Sequence, residues 1–261
     1  MAIKLKDKKY SDHEFISKSI QFLTQDECDF IERYVLKNEE NVKKLGPSYY
    51  EGTGPDSLTG RYKIFNWLYT PIGKIIVPKL KSLFRDLGIE YPVALQFWAN
   101  AFHKDERIKT HIHGVNFIAG NIFIAGDEKS GYYKTIGLPF DHKFTQLIQK
   151  PGDMCLFPSE MGHTTTKNPS DKVRVSLAMD VHVKKSWEKI RDSNDSNFDE
   201  MSNGGIPKMD PDKIEKYKEW KNSIVESYYY DNHRFYIMQN EDEDMERPEY
   251  YKELKWIDEN P

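Results

Sequence analysis

Cysteine is scarce in this chain. Only Cys28 and Cys155 occur among 261 residues, and there is no C-x-x-C pair. A zinc ribbon and a disulfide framework are therefore excluded, and the usage suits a reducing compartment. Long apolar runs are missing too. No stretch is long enough to cross a bilayer, and the lysine-rich start, Met1–Tyr10, lacks the apolar core of a signal peptide. A cytoplasmic protein is the expectation. Nor is there an excess of positive charge: Lys and Arg total 38 against 42 Asp and Glu, a net of −4. Neither nucleic acid nor a membrane is an expected partner. No internal repeat is visible. What remains is a very polar chain, with mean hydropathy −0.76. Its 38% hydrophobic and 13% aromatic residues still suffice for one core at this length.

The densest chemistry lies in His111-Ile112-His113, followed fifty residues later by His163 and then by Arg174-Val175-Ser176. From Lys172 to Val183 the chain alternates. Val173, Val175, Leu177, Met179, Val181 and Val183 share one face; Arg174, Ser176, Ala178, Asp180 and His182 share the other. A period of two predicts a half-buried strand with Arg174 and Ser176 pointing the same way. His111 and His113, also two apart, face one side together on an extended segment. Two imidazoles from one strand and a third from a neighbour make a triangular face that leaves the opposite coordination positions open, as in oxygen-activating non-haem iron sites. A structural zinc site needs a fourth ligand.

Arg174 is an unusual residue for the inward face of a core strand. An unpaired buried guanidinium costs several kcal/mol, so an anion should meet it. The protein's own candidates are Asp153 and Asp180, but Asp180 lies six residues along the same strand, roughly 20 Å away. The functional alternative is a bound carboxylate, held by the guanidinium fork with the Ser176 hydroxyl beside it.

These segments resemble the iron(II)/2-oxoglutarate-dependent oxygenases. The likeness is carried by Phe97-Trp98-Ala99-Asn100, Thr110-His111-Ile112-His113, Phe117-Ile118-Ala119-Gly120-Asn121 and Pro151-Gly152-Asp153-Met154-Cys155-Leu156-Phe157-Pro158-Ser159, then by His163 and Arg174-Val175-Ser176. It covers roughly residues 94–183 and is nearest to a small bacterial and phage group with an H-x-H…H…R-x-S pattern. It implies a mainly β fold, a double-stranded β-helix or jelly roll backed by N-terminal helices, with iron(II) at one mouth. His111 and His163 match the two histidine ligands of the family. His113 stands where most of the superfamily has Asp or Glu. Arg174 matches the residue that grips the distal carboxylate of 2-oxoglutarate, with Ser176 beside it; Asn100 and Asn121 fall near that cosubstrate.

The histidine at 113 changes the charge sum. Iron(II), one carboxylate and the 2-oxoglutarate dianion leave a single negative charge, which Arg174 cancels. With three neutral imidazoles the same sum ends one unit positive. Either His113 is the third ligand, or it lies just off the metal while a water or an acid takes its place. Its position on the first strand of the pair favours ligation.

Thr24-Gln25-Asp26-Glu27 is a capping box opening a helix with Cys28, Phe30, Ile31, Tyr34 and Val35 at helical spacing. Residues 72–87 predict a second helix, in doubt around Pro78. Gly46–Gly60 reads as a loop, either a lid or a plain surface connection. Strands are expected at about 94–103, 108–113, 117–126, 132–137, 143–149, 153–157 and 172–183. The chain thus divides into an oxygenase-like domain, 1–183, and an extension, 184–261, with 13 Lys and Arg against 20 Asp and Glu. In the extension Asp210-Pro211 starts a helix. The aromatic group Tyr228, Tyr229, Tyr230, Phe235, Tyr236 and Ile237 needs burial on the barrel, over the site, or in a homodimer. Trp98 and Cys155 read as core, and His103, His142 and His182 as surface or rim.

The resemblance implies hydroxylation of an unactivated C–H by dioxygen, with release of succinate and CO2. An amino-acid side chain, free or in a peptide, or a small metabolite is the expected substrate. Two rivals stand beside it: a three-histidine iron dioxygenase that binds substrate without 2-oxoglutarate, and a non-enzymatic jelly-roll binding module.

Overall fold

The alternating segments become the strands of two antiparallel sheets in a computed structural model that describes residues 20–45, 58, 65–86, 93–111, 113, 118–130, 132–136, 144–158, 161–183, 235–237, 247 and 249–259. The strands are β1 (Ile20–Gln21), β2 (Val93–Phe102), β3 (Ile118–Ala125), β4 (Tyr132–Ile136), β5 (Phe144–Ile148), β6 (Asp153–Pro158), β7 (His163–Thr165), β8 (Arg174–Val183) and β9 (Phe235–Ile237). The helices are α1 (Gln25–Lys43), α2 (Pro71–Asp86) and α3 (Glu249–Glu253). The large sheet runs β1-β6-β3-β8-β2-β9 and the small one β5-β4-β7.

The predicted strand at 108–113 does not form. The segment instead bridges β7 irregularly. His111 exchanges both backbone bonds with His163, at 3.0 and 2.9 Å, and the Ile108 N–H is taken by the Thr165 hydroxyl at 3.0 Å. A side chain standing in for a carbonyl breaks the ladder, so extended backbone persists without a regular strand. Counted as a fourth member of the small sheet, this segment completes a simple winding. The chain passes from β2 to it, back to β3, over to β4 and β5, back to β6, over to β7 and back to β8. That alternation between sheets is a jelly roll, here with open edges.

The faces of β8 divide as its alternation predicts. Val175, Leu177, Met179 and Val181 are buried in the main core with Ile31, Tyr34 and Val35 of α1. The opposite face turns Arg174, Ser176, Ala178 and Asp180 toward the small sheet. Antiparallel register puts Phe102, Asn100, Trp98 and Gln96 of β2 beside them, and Phe123, Asn121 and Ala119 of β3 on the other flank. One sheet therefore has an apolar side under helices and a polar side inside the roll.

The capping box forms: Glu27 N–H donates to Thr24 Oγ1 at 3.3 Å and Thr24 N–H to Glu27 Oε2 at 2.8 Å. Burial alone would raise the Glu27 carboxyl, but the Thr24 N–H and the Lys79 ammonium outweigh it and hold it below its ordinary value. Helix α2 continues past Pro78 without interruption. A helix-interior proline costs about 3 kcal/mol, whereas Ile72, Ile76, Leu80 and Phe84, all buried on one stripe, each contribute roughly 1.5–3 kcal/mol. The stripe wins.

The described parts of the C-terminal region belong to this same body. β9 pairs with the outer edge of β2. Tyr251 and Ile257 are fully buried in the helical core. The Tyr251 hydroxyl accepts the Asn66 N–H at 2.7 Å, and the Tyr34 hydroxyl donates to the Ile257 carbonyl. The loop over Gly46–Gly60, apart from Leu58, and the helix expected from Asp210 lie outside the described residues, as do Tyr228–Tyr230.

Gly152, at the turn into β6, has φ +88°. Its carbonyl accepts from Phe22 and Leu23 N–H at 2.8 and 3.1 Å, and its N–H donates to the Phe123 carbonyl at 2.8 Å. A Cβ there would run into the Leu23 carbonyl. Gly152→Ala is expected to destabilise the fold by about 2–3 kcal/mol through strain and that collision, read as a lower urea midpoint at unchanged slope.

Candidate metal centre

Three imidazoles gather where the irregular segment meets β7. The candidate donor atoms of His111, His113 and His163 all lie within 4.8 Å of one another, with His113 and His163 buried and His111 half-buried. The backbone ladder sets this up. His111 and His163 are direct partners across the bridge, and His113 follows two residues on. Their ring centroids stand 4.1 to 5.0 Å apart. Phe157 of β6 lies on His163 at 4.7 Å and Trp98 of β2 stacks on His113 at 6.0 Å, which walls the group from water.

The proton positions follow from the partners. His163 Nδ1 is 2.8 Å from the Met161 carbonyl and His111 Nδ1 is 2.9 Å from the Lys109 carbonyl. A carbonyl oxygen only accepts, so each Nδ1 carries the proton and each Nε2 presents a lone pair. His113 Nδ1 lies 2.7 Å from Asp180 Oδ1, a close charge contact outside hydrogen-bond alignment. A proton on that nitrogen is again the favourable choice, because the other tautomer sets a bare Nδ1 against a carboxylate.

His113 Nε2 then faces His163 Nε2 at 3.0 Å, lone pair to lone pair. That is repulsive unless a proton or a cation sits between them. Two nitrogens each about 2.1 Å from one divalent ion, at right angles, lie about 3 Å apart. That pair has the spacing of two ligands on one ion, and the His111 donor lies within 4.8 Å of both. Neither thiol competes for it: burial pushes both Cys155 and Cys28 up to about 12.

Arg174 is 3% exposed. Its Nη1 donates to the Ser130 carbonyl at 3.1 Å and its Nη2 to the Thr166 carbonyl at 2.9 Å, while the guanidinium lies over the Phe102 ring at 4.3 Å. Desolvation holds it down at about 10. Among the described residues no carboxylate pairs with it. Asp153 instead caps the Lys150 N–H at 2.9 Å, and Asp180 stands at the far end of β8. Thr166 is three residues past His163, so the contact ties Arg174 to the strand that carries the histidine.

The polar atoms nearby fit a ligand. Asn100 Nδ2 donates to Ser176 Oγ at 3.3 Å, yet Asn100 Oδ1 and Thr166 Oγ1 are buried with no hydrogen-bond partner among the described residues. Such atoms destabilise by roughly 1–3 kcal/mol each until something pairs with them. Asn121 is buried on the same face, one strand over.

Residues 96–180, about a third of the chain, match the family described as putative 2OG-Fe(II) oxygenase. The site-bearing stretch is thus similar to the 2OG-Fe(II) oxygenases. Iron(II) and 2-oxoglutarate are what this family uses, and the likeness read from the motifs holds at that level. No curated protein matches the chain. Among solved structures it resembles a 2OG-Fe(II) oxygenase family oxidoreductase from Burkholderia pseudomallei, at 15% identity over 43% of this chain and 58% of that one, TM-score 0.37. A prolyl-4-hydroxylase from Pseudomonas putida matches at 10% identity over 64% and 92%, TM-score 0.47. The non-heme monooxygenase ThoJ matches at 10% over 65% and 74%, TM-score 0.48.

The structure clusters His111, His113 and His163 and sets Arg174, Ser176, Asn100 and Asn121 in register on the inward face of the large sheet, and it adds one residue to them. Asp180 was weighed only as a partner for Arg174. Its signal was an acid on the inward face of a central strand, at the parity of Arg174 and Ser176. His103 contacts Glu39 of α1 at 3.0 Å, away from the cluster. His13, His142 and His233 lie outside the described residues.

Proposed function

We propose that the protein is an iron(II)- and 2-oxoglutarate-dependent oxygenase that hydroxylates an unactivated C–H of an amino-acid side chain or small metabolite. The observation that carries this reading is the convergence of three imidazole donors with their Nδ1 atoms turned to oxygen partners. His111, His113 and His163 would hold the iron. Arg174 would take the distal carboxylate of 2-oxoglutarate on its remaining N–H donors, with the Ser176 hydroxyl and the orphaned Asn100 and Thr166 oxygens completing the polar wall. When bound, the iron, the cosubstrate and dioxygen together supply an oxidation that releases succinate and CO2. The chain's own part is orientation: fixed tautomers, a guanidinium held before the ligand arrives, and aromatic walls from Trp98, Phe157 and Phe102 that exclude water.

The test is to mix apo-protein, iron(II) and 2-oxoglutarate without oxygen and look for a metal-to-ligand charge-transfer band, then to admit air and measure succinate. Neither a band nor succinate would end this reading. One observation favours a second reading. With no acid among the three donors, the site also suits a three-histidine dioxygenase that binds its substrate directly and holds the substrate carboxylate on Arg174. Oxygen uptake that proceeds without 2-oxoglutarate would select it.

A further inference from the structure

We infer that Asp180 is the carboxylate of this metal centre, moved one imidazole outward: a positioning residue that acts through His113 rather than on the ion. The inference rests on the reading that the three histidines hold iron(II). Asp180 is 2% exposed, on β8 between Gln96 of β2 and Ala119 of β3. A central strand hydrogen-bonded on both sides is a rigid mount. Its Oδ1 meets His113 Nδ1 at 2.7 Å, while Trp98 stacks against the same ring. Acid behind, indole alongside and His163 in front leave the ring one orientation, with Nε2 toward the cluster. A carboxylate behind a ligating imidazole also strengthens it as a donor.

The charge sum supports the same role. Three neutral imidazoles, a divalent ion, the 2-oxoglutarate dianion and Arg174 leave one positive charge in a buried site. The Asp180 carboxylate cancels it. The chain thus keeps the charge of a two-histidine, one-carboxylate site with the acid in the second layer.

The test is a cobalt(II) titration of apo-protein, followed by the visible bands, for the wild type and for Asp180→Asn, His113→Asp and the double variant. Asn keeps the shape and an acceptor oxygen but loses the charge. Asp180→Asn is expected to weaken binding 10- to 100-fold and to shift the cobalt bands. With His113→Asp the acid is on the ion itself and two acids crowd each other, so adding Asp180→Asn should leave affinity unchanged or tighten it. Equal losses in both backgrounds, or no loss in the wild-type background, overturn the inference. A merely structural Asp180 lowers thermal stability but leaves bands and affinity of the folded protein alone. Should Asp180→Asn alone fail to fold, the comparison is read within the His113→Asp background, where a loss above about threefold overturns it. Absence of cobalt binding by the wild type overturns the metal-centre reading itself, whereas wild-type binding that Asp180→Asn leaves untouched overturns only this one.

Discussion

His163→Ala is expected to abolish metal binding while leaving a folded protein. His163 is the hub of the cluster. Its Nε2 stands 3.0 Å from that of His113, and its backbone bonds His111 in both directions. Alanine keeps those backbone bonds, so the segment that carries the other two histidines stays in register. What disappears is one donor of three and the wall against Phe157. Removing even an outer partner of a metal ligand weakens affinity 10- to 100-fold, so losing a ligand should exceed 100-fold. The fold loses the packing of one buried ring, about 1–3 kcal/mol. A thermal melt reads both effects. A divalent ion at 100 times its dissociation constant adds about 2.7 kcal/mol to the wild type, and the variant should gain nothing from the same addition. An ion that stabilises the variant as much as the wild type would exclude these three imidazoles as its ligands.

What the sequence made legible was local. The period-two run of β8 placed Arg174 and Ser176 on one face, because a strand's side chains alternate whatever it pairs with. Thr24 and Glu27 announced α1 because capping is settled within four residues. The Asp180–His113 contact was not legible, since it depends on how the small sheet packs over β8 and no spacing encodes that. The irregularity of the segment at 108–111 escaped for a related reason: it turns on one hydroxyl, Thr165 Oγ1, which takes the Ile108 N–H from a strand more than fifty residues away. The continuity of α2 through Pro78 was decided by four buried side chains whose partners lie elsewhere in the chain. β9 and Tyr251 likewise find their places on β2 and against Asn66, contacts that span the length of the chain.

Arg174→Met is expected to weaken 2-oxoglutarate binding about 100-fold while leaving the metal site intact. A guanidinium fork on a carboxylate makes two charge-assisted bonds, each about 1.5–3 kcal/mol, and about 3 kcal/mol is roughly a hundredfold. Stability should change little, because two effects oppose. Methionine orphans the Ser130 and Thr166 carbonyls, which costs about 1–3 kcal/mol each, but it also removes a guanidinium that burial already holds down at about 10. A salt bridge to a protein acid would behave otherwise, losing 3–5 kcal/mol when one partner goes. Arg174→Lys should fall between, since an ammonium keeps the charge but cannot fork. The decisive comparison uses a 2-oxo acid with no distal carboxylate, such as pyruvate. It lacks the group that Arg174 holds, so wild type and Arg174→Met should bind it equally weakly, and the hundredfold gap should appear for 2-oxoglutarate alone. A gap of the same size for both acids would mean that Arg174 shapes the pocket rather than gripping the diacid, and no gap for either would remove it from the site.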